Sequence, residues 1–381
     1  MTTPCDIAII NGTVLDPATN TKELGSVFIK DGLILQARGD EAARRAFDAS
    51  GMYIMPGLID SHTHTYVGGS DIGTNPAISM IPQGVTMAVD AGSAGTGTLP
   101  GLIQEMATAP LRMKALLNVT PTGLATYRVP SRVNPAEWDV SRIARAFRDY
   151  GPWLTGLKIL AGKESMDALV PLDAALALAA DVGVPLAVHC TNPPESLGAV
   201  CDRLRPGDIL VHCFHGKGST ILGGNGKVRP EILAARERGV VIDASNGSGH
   251  FSFSVAEAAL AQGFLPDVIA SDLTSGTAYE EPVYGLPHIM SKYLALGMSL
   301  MDVVRCCTSA AAIVCGCAGS LGTLAPGALG DLTVLEEVRK EVVFYDTAGD
   351  HRTGTKYLVP RLTVIRGEVL FRSHELPSQK Q

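Results

Sequence analysis

The strongest constraint in this sequence is a rhythm of strand-length apolar runs: Ile54–Ile59, Thr86–Asp90, Ala115–Thr120, Gly156–Leu160, Pro185–His189, Ile209–His212, Val240–Asp243 and Val268–Ser271. Most are continuous in hydrophobicity, as expected of parallel strands covered on both faces. Helical-period segments separate them, among them Val140–Tyr150, Leu172–Val182 and Pro230–Arg238, the last opening on a proline where a helix tolerates one. Eight strand candidates alternating with helices over residues 55–319 predict an α/β fold, a (β/α)8 TIM barrel, for which about 250 residues is usual. Two stacked doubly wound domains are the rival, and the strand count favours the barrel.

The two ends of the chain read differently. Asp6–Ile10 leads to Asn11-Gly12, and Ser26–Lys30 leads to Asp31-Gly32 before Leu33–Gln36, both of them hairpin signals. The pattern returns in Leu332–Leu335, Val342–Asp346, Leu362–Ile365, Arg366-Gly367 and Glu368–Phe371. Neither end has enough apolar residues for a sheet of its own. Together, residues 1–54 and 320–381 predict a small composite β-sandwich domain beside a catalytic barrel of residues 55–319.

Composition narrows the class of function. With 46% hydrophobic and 18% charged residues, the 381-residue chain has the makings of an extensive core and is no disordered segment. A net charge of −7 without a basic run argues against a phosphate-backbone binder, so no nucleic-acid partner is expected. The eight cysteines are scattered, with no Cys-x-x-Cys pair, which fits reduced thiols in the cytosol. The stretch Leu172–Val188 is broken by Asp173, Asp181 and Pro185, and the first residues lack a basic start followed by a long apolar core. The expectation is a cytoplasmic protein acting on a small molecule, with no membrane partner. Closed symmetric assemblies are common, so a homo-oligomer is expected.

The chemistry gathers where the predicted strands end. Asp60-Ser61-His62-Thr63-His64 closes the first run, and residues two apart in a strand point to one side. Alone, this pair also fits two ordinary polar residues at a loop edge. His189, His212 and Asp272 stand in the same place after three later runs, at the end of the barrel where such folds keep their active sites. Imidazole and carboxylate donors suit zinc and related divalent ions. Lys158 sits inside the fourth run, where a lysine is ordinarily ion-paired. A lysine whose pKa is lowered by burial can instead react as the neutral amine and add carbon dioxide.

With these residues in order, the chain resembles the amidohydrolase superfamily, near its dihydroorotase-like branch and its amidohydrolase/deacetylase metallohydrolases. The resemblance spans essentially the whole chain, from the Pro56-Gly57-Leu58-Ile59-Asp60 lead-in to the late Gly322-Thr323-Leu324-Ala325-Pro326-Gly327. It implies two divalent metal ions, Zn2+ or alternatively Mn2+. His62, His64 and Asp272 would hold one ion and His189 and His212 the other, with carbamylated Lys158 and a hydroxide bridging them. It further implies attack of that hydroxide on a carbonyl, with Asp272 as the proton carrier.

The substrate is less legible. Dihydroorotases follow His-x-His with a closely spaced arginine for the substrate carboxylate, whereas this chain has Thr65-Tyr66. Cys190 and Cys213 adjoin ligands, but strand alternation turns them toward the core. On the rim, His250 and Asn246 after the seventh run, Lys217 and Arg229 after the sixth, and Tyr127 and Arg128 after the third are candidate substrate contacts. Lys217 and Arg229 equally fit a solvated loop. The reading is a binuclear hydrolase cleaving an acyl amide or ester of a carboxylate-bearing molecule, such as an N-acyl amino acid or an O-acetyl hydroxy acid. The alternatives are a cyclic amide hydrolase, an aminopurine deaminase and a non-catalytic scaffold.

Overall fold

The computed structural model describes residues 5–36, 42–129 and 131–380; residues 1–4 and 381, the outer limits of the expected composite domain, lie outside them. Seven parallel strands run in chain order: β1 (Leu58–Thr63), β2 (Val85–Ala91), β3 (Arg112–Asn118), β4 (Leu154–Leu160), β5 (Leu186–His189), β6 (Ile209–Val211) and β7 (Val241–Ile242). Residues 268–273 close the ring through parallel bridges from Val268 to Asp243 and from Leu273 to Thr63. The last run is too irregular for a full strand, yet it bonds to both edges, with Asp272 N–H donating to His62 O at 2.8 Å. The curled parallel sheet is a barrel.

Helices fill the connections: α1 (Pro76–Ser79), α2 (Leu99–Thr108), α3 (Val140–Tyr150), α4 (Val170–Val182), α5 (Leu197–Cys201), α6 (Pro230–Glu237) and α7 (Phe253–Leu260), then α8 (Leu286–Ala295) after the closing segment. α3 begins where the Asp139 carboxylate accepts the Arg142 N–H and buries Ile143 and Ala146, three apart on one face. Along β4, Leu157 and Ile159 belong to the apolar cluster shared with the helices, so the alternating Lys158 points into the barrel. Among the described residues no helix is long and apolar enough to cross a membrane.

Among the described residues, a second sheet of nine strands draws on both ends of the chain. Tyr53–Pro56 joins its halves, pairing with Leu332–Leu335 on one side and with Thr13–Val14 on the other. The expected first barrel run, Ile54–Ile59, is therefore two strands split at Gly57, one in each sheet. The expected Asn11-Gly12 turn is a bulge inside a long strand, Cys5–Asp16, because Asn11 takes a left-handed backbone while pairing resumes beyond it. Asp31-Gly32 and Arg366-Gly367 are tight turns, with φ positive at both residues of each pair.

Candidate active site

The side chains expected at the strand ends meet at one point, centred on Asp272. Its Oδ1 lies 3.2 Å from His64 Nε2 and 3.6 Å from His62 Nε2, and its Oδ2 lies 3.9 Å from both His212 Nε2 and His250 Nε2. Lys158 Nζ is 3.2 Å from His62 Nε2, and His212 Nε2 is 3.0 Å from His189 Nδ1. Two sets of three residues bring donor atoms within 4.8 Å of one another: His62, His64 and Asp272; and His189, His212 and His250. His250 stacks on His212 with ring centroids 4.1 Å apart at 24°, so the two ring planes run nearly parallel. His189 meets both His212 and His250 edge to face, at 81° and 86°.

Two of these residues leave their strands through unusual backbone. His212 and Asp272 have φ of 65° and 54°, a region that non-glycine residues enter at a cost of about 1–3 kcal/mol each. Two glycines let the backbone approach. A Cβ on Gly247 would lie 2.2 Å from Asp272 Oδ2, and one on Gly92 would lie 2.8 Å from the Lys158 side chain.

Burial sets the charge states. It holds the imidazoles of His62, His189 and His212 well below the ordinary histidine range and brings His250 to about 4, so all four are neutral near pH 7. Burial alone would raise the Asp272 carboxyl, but the hydrogen bond from His64 and the imidazoles around it bring it to about 2. Burial lowers the Lys158 amine to about 8 against the opposing pull of Asp272 and Asp243. Neutral imidazoles, an ionised carboxylate and a depressed amine in one buried cluster form a donor set that fits divalent cations.

A second tier of residues, given no role in the sequence reading, orients this set. Asp90 accepts the Ser93 N–H at 2.7 Å, and Ser93 Oγ lies 2.9 Å from His64 Nδ1. The Ser245 carbonyl accepts from His212 Nδ1 at 3.1 Å, which fixes the proton there and turns the Nε2 lone pair toward the cluster, where it meets His189 Nδ1 at 3.0 Å. Asp243 accepts from Ser245 and lies 3.7 Å from His62 Nδ1. Asp60 accepts the Ser271 N–H at 2.9 Å and its hydroxyl at 2.5 Å, pinning the backbone beside Asp272. Asp90 and Asp243 end apolar runs just as the ligands do, and that position was the available signal.

The cluster forms the floor of a cavity of about 470 Å³, whose wall includes His250, Tyr127, Lys217, Ser248, Thr191 and Glu164. Of the rim candidates, His250, Tyr127 and Lys217 line it, while Asn246, Arg128 and Arg229 do not. Arg229 donates to Thr220 O at 2.9 Å beside the start of α6, and buried Asn246 donates to Ala244 O at 2.9 Å. The Arg128 backbone N–H is held by Asp71 at 3.2 Å. Thr65 bonds Asp90 through both its N–H and its hydroxyl, and the Tyr66 hydroxyl donates to Thr98 O, so neither replaces a substrate-gripping arginine. Cys190 and Cys213 are buried core thiols, each pushed well above the usual range by burial.

Comparison with known proteins bears on the whole chain. A model of the amidohydrolase family matches residues 53–370. A deacetylase of Agrobacterium fabrum is 34% identical over 356 residues, covering 92% of this chain and 86% of that protein. A deacetylase of Brucella anthropi is 32% identical over 344 residues, covering 88% and 84%. Among solved structures, a dihydroorotase superposes with a TM-score of 0.84 at 31% identity, covering 96% of this chain and 98% of its own. An adenine deaminase superposes with a TM-score of 0.88 at 24% identity, covering 97% and 100%, a likeness of fold.

Proposed function

Because this chain belongs to the amidohydrolase family, we propose that it is a metal-dependent hydrolase that removes an acyl group, by amide or ester cleavage, from a small carboxylate-bearing molecule such as an N-acyl amino acid or an O-acetyl hydroxy acid. The supporting observation is the convergence of neutral imidazoles, Lys158 and ionised Asp272 on the floor of one cavity. In this reading His62, His64 and Asp272 would hold one divalent ion and His189 and His212 the other, and Lys158, as a carbamate, would serve as a further ligand. Zinc suits these donors, and manganese is the alternative. When bound, such ions polarise a carbonyl and activate a water.

The remaining work falls to the chain itself. Asp272 takes the proton of the attacking water and delivers it to the departing nitrogen or oxygen. His250, whose Nδ1 bonds Thr191 Oγ1 at 2.9 Å, presents Nε2 for a hydrogen bond to substrate. Lys217, exposed and lining the cavity, attracts the carboxylate, and Tyr127 flanks it. Asn246, Arg128 and Arg229 have no substrate contact in this reading. The likeness to a dihydroorotase favours cyclic amide hydrolysis as the second reading, and the engaged Thr65 and Tyr66 weigh against it. We further read residues 1–54 and 320–381 as one composite β-sandwich domain beside a barrel of residues 55–319, supported by the strand pairing between the two ends. The scattered cysteines, without a Cys-x-x-Cys pair, support a cytoplasmic location, and a homo-oligomer follows the common pattern.

The test is a hydrolysis panel of N-acyl amino acids, O-acetyl hydroxy acids, cyclic amides and aminopurines, with Asp272→Asn and metal content measured alongside. Acyl hydrolysis by the parent is expected, with a loss of about a hundredfold or more in the variant. Deamination of an aminopurine with every amide and ester inert would overturn the substrate class. A metal-free, inactive protein after growth with zinc and bicarbonate would favour a scaffold.

A further inference from the structure

The loop after β7 carries His250 and Ser248 over the cavity, yet much of what holds its far end comes from outside the barrel. The terminal sheet contains one long hairpin, Leu332–Tyr345 paired with His351–Ile365, whose last rung joins Tyr345 to His351. Its tip reaches the loop. The Thr347 N–H and hydroxyl both donate to Phe251 O, at 3.2 and 2.8 Å. Asp346 Oδ2 accepts the Phe253 N–H at 3.1 Å, while its Oδ1 accepts the Ala348 and Asp350 N–H groups that close the tip. Arg352 donates to both carboxylate oxygens of Glu257 of α7, from Nε at 2.5 Å and Nη2 at 2.8 Å, and lies 4.8 Å from the Phe253 ring centroid.

Other contacts complete a cradle around the same residues. The Ser252 N–H donates to Phe214 O at 2.8 Å, and Lys292 Nζ sits 3.9 Å from the Phe251 ring centroid. Between these fixed points and Asn246 lie Gly247, Ser248, Gly249 and His250, a stretch with two glycines. Such a stretch takes its position from its ends.

We propose that Asp346 and Thr347, at the tip of the terminal-sheet hairpin, are positioning residues for His250 and Ser248, holding the far end of their loop in the register that places them over the cavity floor. The proposal rests on the acyl-hydrolase reading only for what the loop does to substrate; that the tip holds the loop stands on the contacts alone. Asp346 is the sharper handle. An amide in its place keeps one oxygen for the tip, but sets an NH2 group against the Phe253 N–H, replacing attraction with repulsion.

The test compares Asp346→Asn and Thr347→Val with the parent as holoenzyme. Amide exchange in residues 247–251 is expected to speed up by about tenfold in either variant, at unchanged metal content. On whichever panel substrate the parent hydrolyses, kcat/KM is expected to fall by between about tenfold and a hundredfold, with KM rising as well. A lower melting temperature with exchange in 247–251 unchanged would reduce the tip to a structural feature and overturn the proposal. Faster exchange with unaltered kcat and KM would overturn the positioning role. A parent inert toward the whole panel would refute the acyl-hydrolase reading instead, leaving the exchange result to decide whether the hairpin holds the loop.

Discussion

Lys158 offers a prediction whose size follows from its surroundings. Carbamate formation needs the neutral amine: Nζ bonds to the carbon of CO2 and gives up one proton. Burial lowers this amine from 10.5 to about 8, so the neutral fraction is about one tenth at pH 7, one half at pH 8 and nine tenths at pH 9. An ordinary exposed lysine at pH 7 would have a reactive fraction roughly 300-fold smaller than that of Lys158. The perturbation is to strip metal and CO2 from the protein, then add zinc and 13C-labelled bicarbonate at constant dissolved CO2 across this pH range. Carbamate is followed by its carbon resonance, and activity in parallel. The initial rate should rise about tenfold from pH 7 to pH 9 and then level off. A rate still climbing about tenfold between pH 8 and pH 9, as an amine left at 10.5 would, would mean that burial does not tune it. Reactivation indifferent to CO2 would refute the carbamate altogether.

Two further outcomes follow from particular side chains. Gly247→Ala puts a methyl group 2.2 Å from Asp272 Oδ2 in a left-handed backbone, and kcat/KM should fall by about a hundredfold; activity within threefold of the parent would show that the loop gives way freely. Lys292 is fully buried with no hydrogen bond to Nζ, and burial lowers it to about 7 despite Glu281 and Asp346 nearby. Between that value and 10.5 the unfolded chain binds the extra proton, so Lys292 makes stability rise with pH over this window and weighs against the fold most below pH 7. Lys292→Met should therefore stabilise the protein most near pH 6, with the gain shrinking toward pH 10. Urea unfolding at several pH values checks this, and a difference independent of pH would contradict it.

The barrel was legible because its strands are apolar on both faces and end abruptly in polar residues, so one pattern marked both the fold and the ligands. Lys158 could be read as inward-facing because it alternates with Leu157 and Ile159, but the depression of its amine comes from burial by segments distant in the chain, against the opposing pull of Asp272 and Asp243, and that burial has no local signature. Asp60, Asp90 and Asp243 were visible only as residues at or near strand ends. A carboxylate that orients a histidine through a serine has the same local sequence as one that caps a turn. Asn11-Gly12 misled because the pair serves a turn or a bulge equally well, and the choice belongs to the neighbouring strand Thr21–Lys30. Arg229 carried charge in a glycine-rich loop, but the Thr220 carbonyl that engages it could not be anticipated from sequence spacing. The hairpin tip was hidden for a similar reason: Thr347 meets Phe251 from 96 residues away.

The most direct test is anomalous diffraction at the zinc edge, from crystals grown with zinc and bicarbonate. Two peaks about 3.5–4 Å apart are expected, one beside His62, His64 and Asp272 and the other beside His189 and His212, with density for a carbamate on Lys158 reaching both. A single peak, or an unmodified Lys158 amine turned away from the metals, would contradict the two-ion site.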